Sequence, residues 1–175
     1  MSVVIATVTT NDLTGKPSLG GKLLDLNNSH AQELSWLEPE RLNHMLSQAF
    51  FARRIGDAEC LIIAFDQDAD YDSPNFLWFR SRFTHFVYVD RVVVALEARG
   101  RGHARRLYQD LFGHAARAGH DKIVCEVNYS PPNPESDAFH ASLGFTALAT
   151  GSIHGGLKTV RYLIRQLTSE VAHAS

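Results

Sequence analysis

The stretch that most constrains this chain runs from Val92 to Ala115. Val92, Val93 and Val94 are a β-branched run that predicts a strand. Ala104, Leu107, Tyr108, Leu111, Phe112 and Ala115 then recur at helical spacing, with Arg105, Arg106, Gln109, Asp110 and Arg117 on the other face. Between the two lies Arg99-Gly100-Arg101-Gly102-His103-Ala104. A strand that feeds a helix through a glycine turn leaves the first helical N–H groups without intrahelical acceptors. It also turns the positive end of the helix dipole outward. Glycine lets the backbone approach an anion closely, and the two arginines add charge, so the segment predicts a phosphate site.

Spacing separates the kinds of glycine loop. No lysine follows Gly102, which argues against the loop of nucleotide hydrolases. Arg105 occupies the third glycine position of a dinucleotide fingerprint. An ordinary turn at a strand–helix junction stays open on this segment alone.

A second motif lies downstream, in Asn133-Pro134-Glu135-Ser136-Asp137-Ala138-Phe139-His140-Ala141-Ser142-Leu143-Gly144-Phe145. Asn133 suits a helix cap, Pro134 its first position, and Gly144 its end. Arg99-x-x-Gly102-x-Ala104 resembles the Arg/Gln-x-x-Gly-x-Gly/Ala loop of the GNAT superfamily of acyl-CoA-dependent N-acetyltransferases. The downstream segment resembles that family's Asn-x-x-Ala-x-x-x-Tyr-x-x-Leu-Gly-Phe helix. Three positions depart from the pattern: Leu96 stands where many members have proline, Ser136 replaces alanine and His140 replaces tyrosine. The motifs occur in the family's order with one strand between them, and together they cover about the last half of the chain.

The resemblance implies an α/β fold: a mixed, mostly antiparallel central sheet flanked by helices, with a splayed parallel strand pair that binds CoA. It also implies acetyl-CoA as co-substrate, with no metal. Backbone groups of Val92, Val93 and Val94 would hold the pantetheine arm. Arg99, Gly100, Arg101, Gly102, His103 and Ala104 would hold the pyrophosphate, and Asn133, Ser136 and Phe139 would complete the donor site. Many relatives pair through their C-terminal strands, so the resemblance allows a homodimer.

Acyl transfer to an amine needs a base for a nitrogen whose reference pKa is near 10. Strand alternation places Tyr88, Asp90, Val92 and Val94 on one face. Several family members carry an acid or base at the positions of Tyr88 or Asp90. Asp90 is the first candidate and Glu126 on the next strand the second, while a pairing of Asp90 with Arg91 stays open. His140 stands where the family's tyrosine donates to the leaving thiolate, and a neutral imidazole can donate through one N–H. For the acceptor, Tyr71, Asn75 and Trp78 are expected to supply polar contacts and an aromatic wall. The alternative is that these residues form a satellite core. Trp36 and Asn28 are weaker candidates, and Asp68, Asp70 and Asp72 read as a solvated acidic loop.

A chain of 175 residues fits one main domain over residues 21–168, with an N-terminal extension at 1–20 and a C-terminal tail at 169–175. Gly21 to Asn27 reads as a first strand, Leu34 to Phe50 as two short helical segments broken near Pro39, and Asp66 to Ser81 as a long connection. Strands are expected at Ala52–Ile55, Cys60–Phe65, His85–Val94, Lys122–Asn128, from Gly144-Phe145, and at Lys158–Leu167. Gly151 to Gly156 reads as a turn. A net charge of −2 argues against nucleic acid as a partner. No stretch has the length and apolarity of a membrane span or secretion signal, and neither cysteine has a metal-binding or disulfide spacing, so a reducing cytoplasm is the expectation. The acceptor is expected to be a small-molecule amine, with a protein lysine or N-terminus as the alternative. A non-catalytic acyl-CoA sensor is the competing class.

Overall fold

The computed structural model describes residues 3–31 and 34–168. In chain order the elements are β1 (Ile5–Thr7), α1 (Thr10–Thr14), α2 (Pro17–Asn28), α3 (Pro39–Gln48), β2 (Phe51–Ile55), β3 (Cys60–Asp66) and α4 (Pro74–Arg80). They continue with β4 (Val87–Val94), α5 (His103–Arg117), β5 (Lys122–Ser130), α6 (Pro134–Ser142), β6 (Thr146–Ile153) and β7 (Lys158–Gln166). The strands are hydrogen-bonded in the order β1-β2-β3-β4-β5-β7-β6. The β1–β2, β2–β3, β5–β7 and β6–β7 pairs are antiparallel and β4–β5 is parallel, which is the mixed, mostly antiparallel sheet expected. Residues 169–175, expected as a tail, lie outside the described residues.

The chain divides into two compact units. The first takes the described residues up to Tyr71 together with Val89–Leu111. Its centre is β3, where Cys60 through Phe65 are all buried, as an unbroken apolar run requires. Gly56, at a φ of +60°, turns β2 into β3. Ile5 pairs with Ile55, so residues 5–7 join the sheet as a strand.

Gly21–Asn27 is helical, not extended. Pro17 starts α2 at a position where its missing N–H costs nothing, and Leu19, Leu23, Leu26 and Asn27 are buried at helical spacing. Gly20 serves packing, since a Cβ there would lie 3.2 Å from Leu13 Cδ2. Only one helix forms in the next stretch: Pro39 is the first turn of α3, and the described residues from Leu34 to Glu38 are not helical.

The second unit takes Asp72–Tyr88 and the described residues from Phe112 onward. The connection before β4 contains the unexpected helix α4, which buries Asn75, Phe76 and Phe79 on one face. Phe76 and Phe79 pack on Tyr88 with ring centroids 5.8 and 5.7 Å away, so much of the aromatic run is core. β5 meets β4 at Val87↔Ile123 and Tyr88↔Val124, and pairs with β7 from Lys122↔Gln166 to Ser130↔Thr159. β6 runs through Gly151, where a turn was expected. A Cβ there would lie 2.7 Å from Tyr162 Cε2, so this glycine admits a ring.

Candidate functional site

The glycine loop lies wholly in the first unit. β4 ends at Val94, a 3-10 turn spans Leu96–Ala98, and α5 begins at His103. Gly100 and Gly102 have φ of +81° and +76°, a region that glycine alone adopts freely, and a Cβ on either would meet no atom within 4 Å. The Arg106 N–H returns to Gly102 O at 3.1 Å, so the amides of Gly102, His103 and Ala104 belong to the unpaired first turn. These amides, beside exposed Arg99 and Arg101, fit a phosphate group. Val92 and Val94 are half-buried, and Val93 is buried.

Two histidines brace the loop. His30 Nδ1 lies 3.1 Å from Leu26 O, and a carbonyl only accepts, so Nδ1 carries the proton; Nε2 then accepts from Arg99 Nη2 at 3.2 Å. His103, expected as a backbone contact, is also a buried side chain, and its Nε2 donates to Glu59 Oε2 at 3.1 Å. His103 Nδ1 is buried and makes no hydrogen bond. The bond to a carboxylate stabilises by about 1.5–3 kcal/mol at most, and an orphaned buried nitrogen costs about 1–3 kcal/mol. Glu59 is 45% exposed, which lowers the gain further, so the pair fixes geometry more than it adds stability.

Asp90 is not placed as a base would be. Its side chain is 5% exposed, Oδ2 accepts from Arg91 Nε at 2.7 Å, and Oδ1 accepts from the Tyr71 hydroxyl at 2.6 Å. Burial works against the Arg91 charge, but Asp90 outweighs it and holds the guanidinium pKa up. Burial, then the Asp90 carboxylate, push the Tyr71 phenol up. Tyr71 is buried against Phe65, with centroids 4.2 Å apart, and so makes a core contact where an acceptor contact was expected. Arg91 Nη1 also donates to Asn27 Oδ1. Asn27 Nδ2 donates to Ser35 O at 2.9 Å, and Asn28 exchanges two hydrogen bonds with the Leu37 backbone. The sequence reading missed this buried chain; its one signal was an adjacent asparagine pair at a helix end. Asn28 is therefore a tether, while Trp36 is 63% exposed.

The second unit holds the other carboxylate. Glu126 is half-buried, and its Oε2 accepts from the Tyr88 hydroxyl at 2.8 Å. The β5–β7 register sets Tyr162 directly opposite Glu126, so the two share a face. Burial, then the Glu126 charge, push the Tyr162 phenol up. Tyr162 donates to Asn75 Oδ1 at 3.2 Å and stacks on Trp78 at 3.8 Å, and the Arg82 guanidinium lies 3.7 Å from the Trp78 ring. Asn75 and Trp78, expected at the acceptor, thus both meet a tyrosine that sequence reasoning missed because it sits more than eighty residues downstream.

α6 keeps its expected cap, with Asn133 Oδ1 accepting from Ser136 N at 3.2 Å. His140 is buried, and its Nδ1 lies 2.8 Å from Ser136 O, so the proton sits on Nδ1 and is committed to that carbonyl. Burial pushes its pKa down, against the pull of the Ser136 carbonyl and Asp137. Neutral His140 therefore spends the N–H that the expected donation to a thiolate requires. Phe139 is half-buried and packs edge-on against the imidazole at 5.4 Å. Among the described residues no group of histidine, cysteine, aspartate and glutamate could hold a metal ion, and no helix is long and apolar enough to cross a membrane.

Known proteins share this fold. The structure resembles the ribosomal-protein-S18-alanine N-acetyltransferase of Escherichia coli at a TM-score of 0.66 and 13% identity, over 95% of each chain. It resembles a chain of the NatC complex bound to Gag peptide and CoA at 0.70 and 14%, over 96% of this chain and all of that one. A Salmonella typhimurium protein described as an acetyltransferase, solved with its cofactor acetyl-CoA, matches at 0.66 and 17%, over 96% and 95%. At such identities the likeness shows the fold alone. No curated protein matches by sequence. The model of the acetyltransferase (GNAT) family matches residues 31–145, well over half of the chain and both of its motifs, and the protein belongs to that family.

Proposed function

We propose that this acetyltransferase moves acetyl from acetyl-CoA to the primary amine of a small molecule by direct attack in a ternary complex, with Glu126 as general base. The observation that carries the assignment is the half-buried Glu126 carboxylate, held by the Tyr88 hydroxyl at 2.8 Å, whereas Asp90 is buried and engaged by both Arg91 and Tyr71. The loop at residues 99–104 would take the pyrophosphate on its backbone amides, and the backbone of Val92 and Val94 the pantetheine arm. The amine nitrogen attacks the thioester carbon, the C–S bond breaks, and CoA leaves as the thiolate. Nitrogen becomes acidic as its bond to carbon forms, and Glu126 takes that proton. Cys60 and Cys125 are buried thiols, which fits a reducing, cytoplasmic setting.

The test is CoA release across a panel of small amines, lysine peptides and N-terminal peptides. Small amines should turn over fastest. In Glu126→Gln, kcat should fall by roughly 10²–10⁴-fold. Its KM for acetyl-CoA should hold. Folded Asp90→Asn should keep most of its kcat and lose stability, because Arg91 is left as an uncompensated buried charge. The reverse pattern would hand the base role to Asp90, and CoA binding without release for every amine would favour a sensor.

A further inference from the structure

We propose that Glu59, on the β2–β3 hairpin, is a positioning residue for acetyl-CoA: it holds both ends of the glycine loop. The proposal rests on the reading that this loop takes the donor's pyrophosphate. Glu59 O accepts from Ala95 N at 2.8 Å, where the chain leaves β4. Glu59 Oε2 accepts from His103 Nε2 at 3.1 Å, where α5 begins. Those two points flank the glycine loop, and one residue meets both. Glu59 is itself secured, with its N–H donating to Ile55 O at 3.1 Å across the hairpin.

The loop needs such a brace. Gly100 and Gly102 carry positive φ and meet no atom within 4 Å of where a Cβ would stand, so neither sterics nor side-chain packing holds them. Glycine also has the most backbone freedom to lose on ordering. A loop fixed at both ends presents its amides with part of that entropy already removed, and this lowers the cost of binding an anion. His103 supports the same reading. A buried apolar residue would suit that position better, because Nδ1 is left without a partner, and what the imidazole adds is the bond to Glu59. Gly56 keeps the space for it, since a Cβ there would lie 3.1 Å from Glu59 Cγ and Cδ.

The experiment is acetyl-CoA titration by calorimetry on the purified protein, with steady-state kinetics at saturating amine. Glu59→Leu removes the acceptor and keeps the backbone bond, and should weaken acetyl-CoA binding by about tenfold. The acceptor KM and kcat should not move. Glu59→Gln retains an oxygen that accepts from Nε2 and should stay within about twofold of wild type. His103→Leu removes the bond from the other side without touching the hairpin, so it serves if Glu59→Leu fails to fold. It should reproduce the loss, and the double variant should lose no more than either single one. Wild-type donor affinity in folded Glu59→Leu or His103→Leu, additive losses, or equal rises in the donor and acceptor KM would each overturn the proposal. Failure of the family reading looks different: the wild type itself would not bind acetyl-CoA.

Discussion

His140 shows how one side chain answers to its surroundings. It occupies the register of a tyrosine in the helix motif, yet it is buried and ring-packed at 5.4 Å on both Phe139 and Phe145. Its pKa lies below the usual 6.5 because burial disfavours the imidazolium. The unfolded chain therefore binds a proton at a higher pH than the folded one. Its contribution to stability is complete above pH 6.5 and is lost as pH falls from there through the lowered folded value. Melting temperatures taken from pH 8 to pH 5 should drop more steeply below pH 6.5 in wild type than in His140→Phe; parallel curves would refute it. Asp90 teaches the same lesson. Sequence alternation put it on the reactive face beside Tyr88. Only folding brought Tyr71 and Asn27, nineteen and more residues away, around the Asp90–Arg91 pair.

At the scale of elements, the strand–loop–helix unit is the most testable part. Gly102→Glu adds a side chain where φ is +76° and brings a carboxylate to the loop that the donor's pyrophosphate would use. The backbone strain should cost roughly 1–2 kcal/mol, which a folded chain of this size survives. Acetyl-CoA affinity should fall at least a hundredfold, on the order expected when an anion meets a fixed like charge. Calorimetry with a melting curve on the same sample decides it, and retained affinity in the folded variant would remove the loop from the donor site. This unit was legible because its period changes from β-branched to helical across a glycine pair. α6 was legible through Asn133 and Pro134, and β3 through its unbroken apolar run. α2 and α4 were not. Residues 21–27 read as a strand until Leu19, Leu23, Leu26 and Asn27 are buried at helical spacing, and residues 66–81 read as a connection until Phe76 and Phe79 pack on Tyr88.

For the whole molecule, binding and stability are linked. A donor that binds only the folded chain should stabilise it by about 2.7 kcal/mol at a hundredfold excess over Kd. For a chain of this length that is a rise of about 5–10 °C in Tm. A thermal scan with acetyl-CoA and no amine checks it, and an unmoved Tm at saturating concentrations would count against donor binding at any site. The sequence by itself determined the class of fold, the family and the glycine turn between β4 and α5, because these rest on local spacing: glycines between a strand and a helix, and a capped helix ending in Leu143-Gly144-Phe145. The tertiary structure alone decided which tyrosine each carboxylate meets. Charge partners are set by distance in space, so Asp90 met Arg91 and Tyr71 while Glu126 met Tyr88. It also decided that Glu59, unmarked in the sequence, reaches both Ala95 and His103.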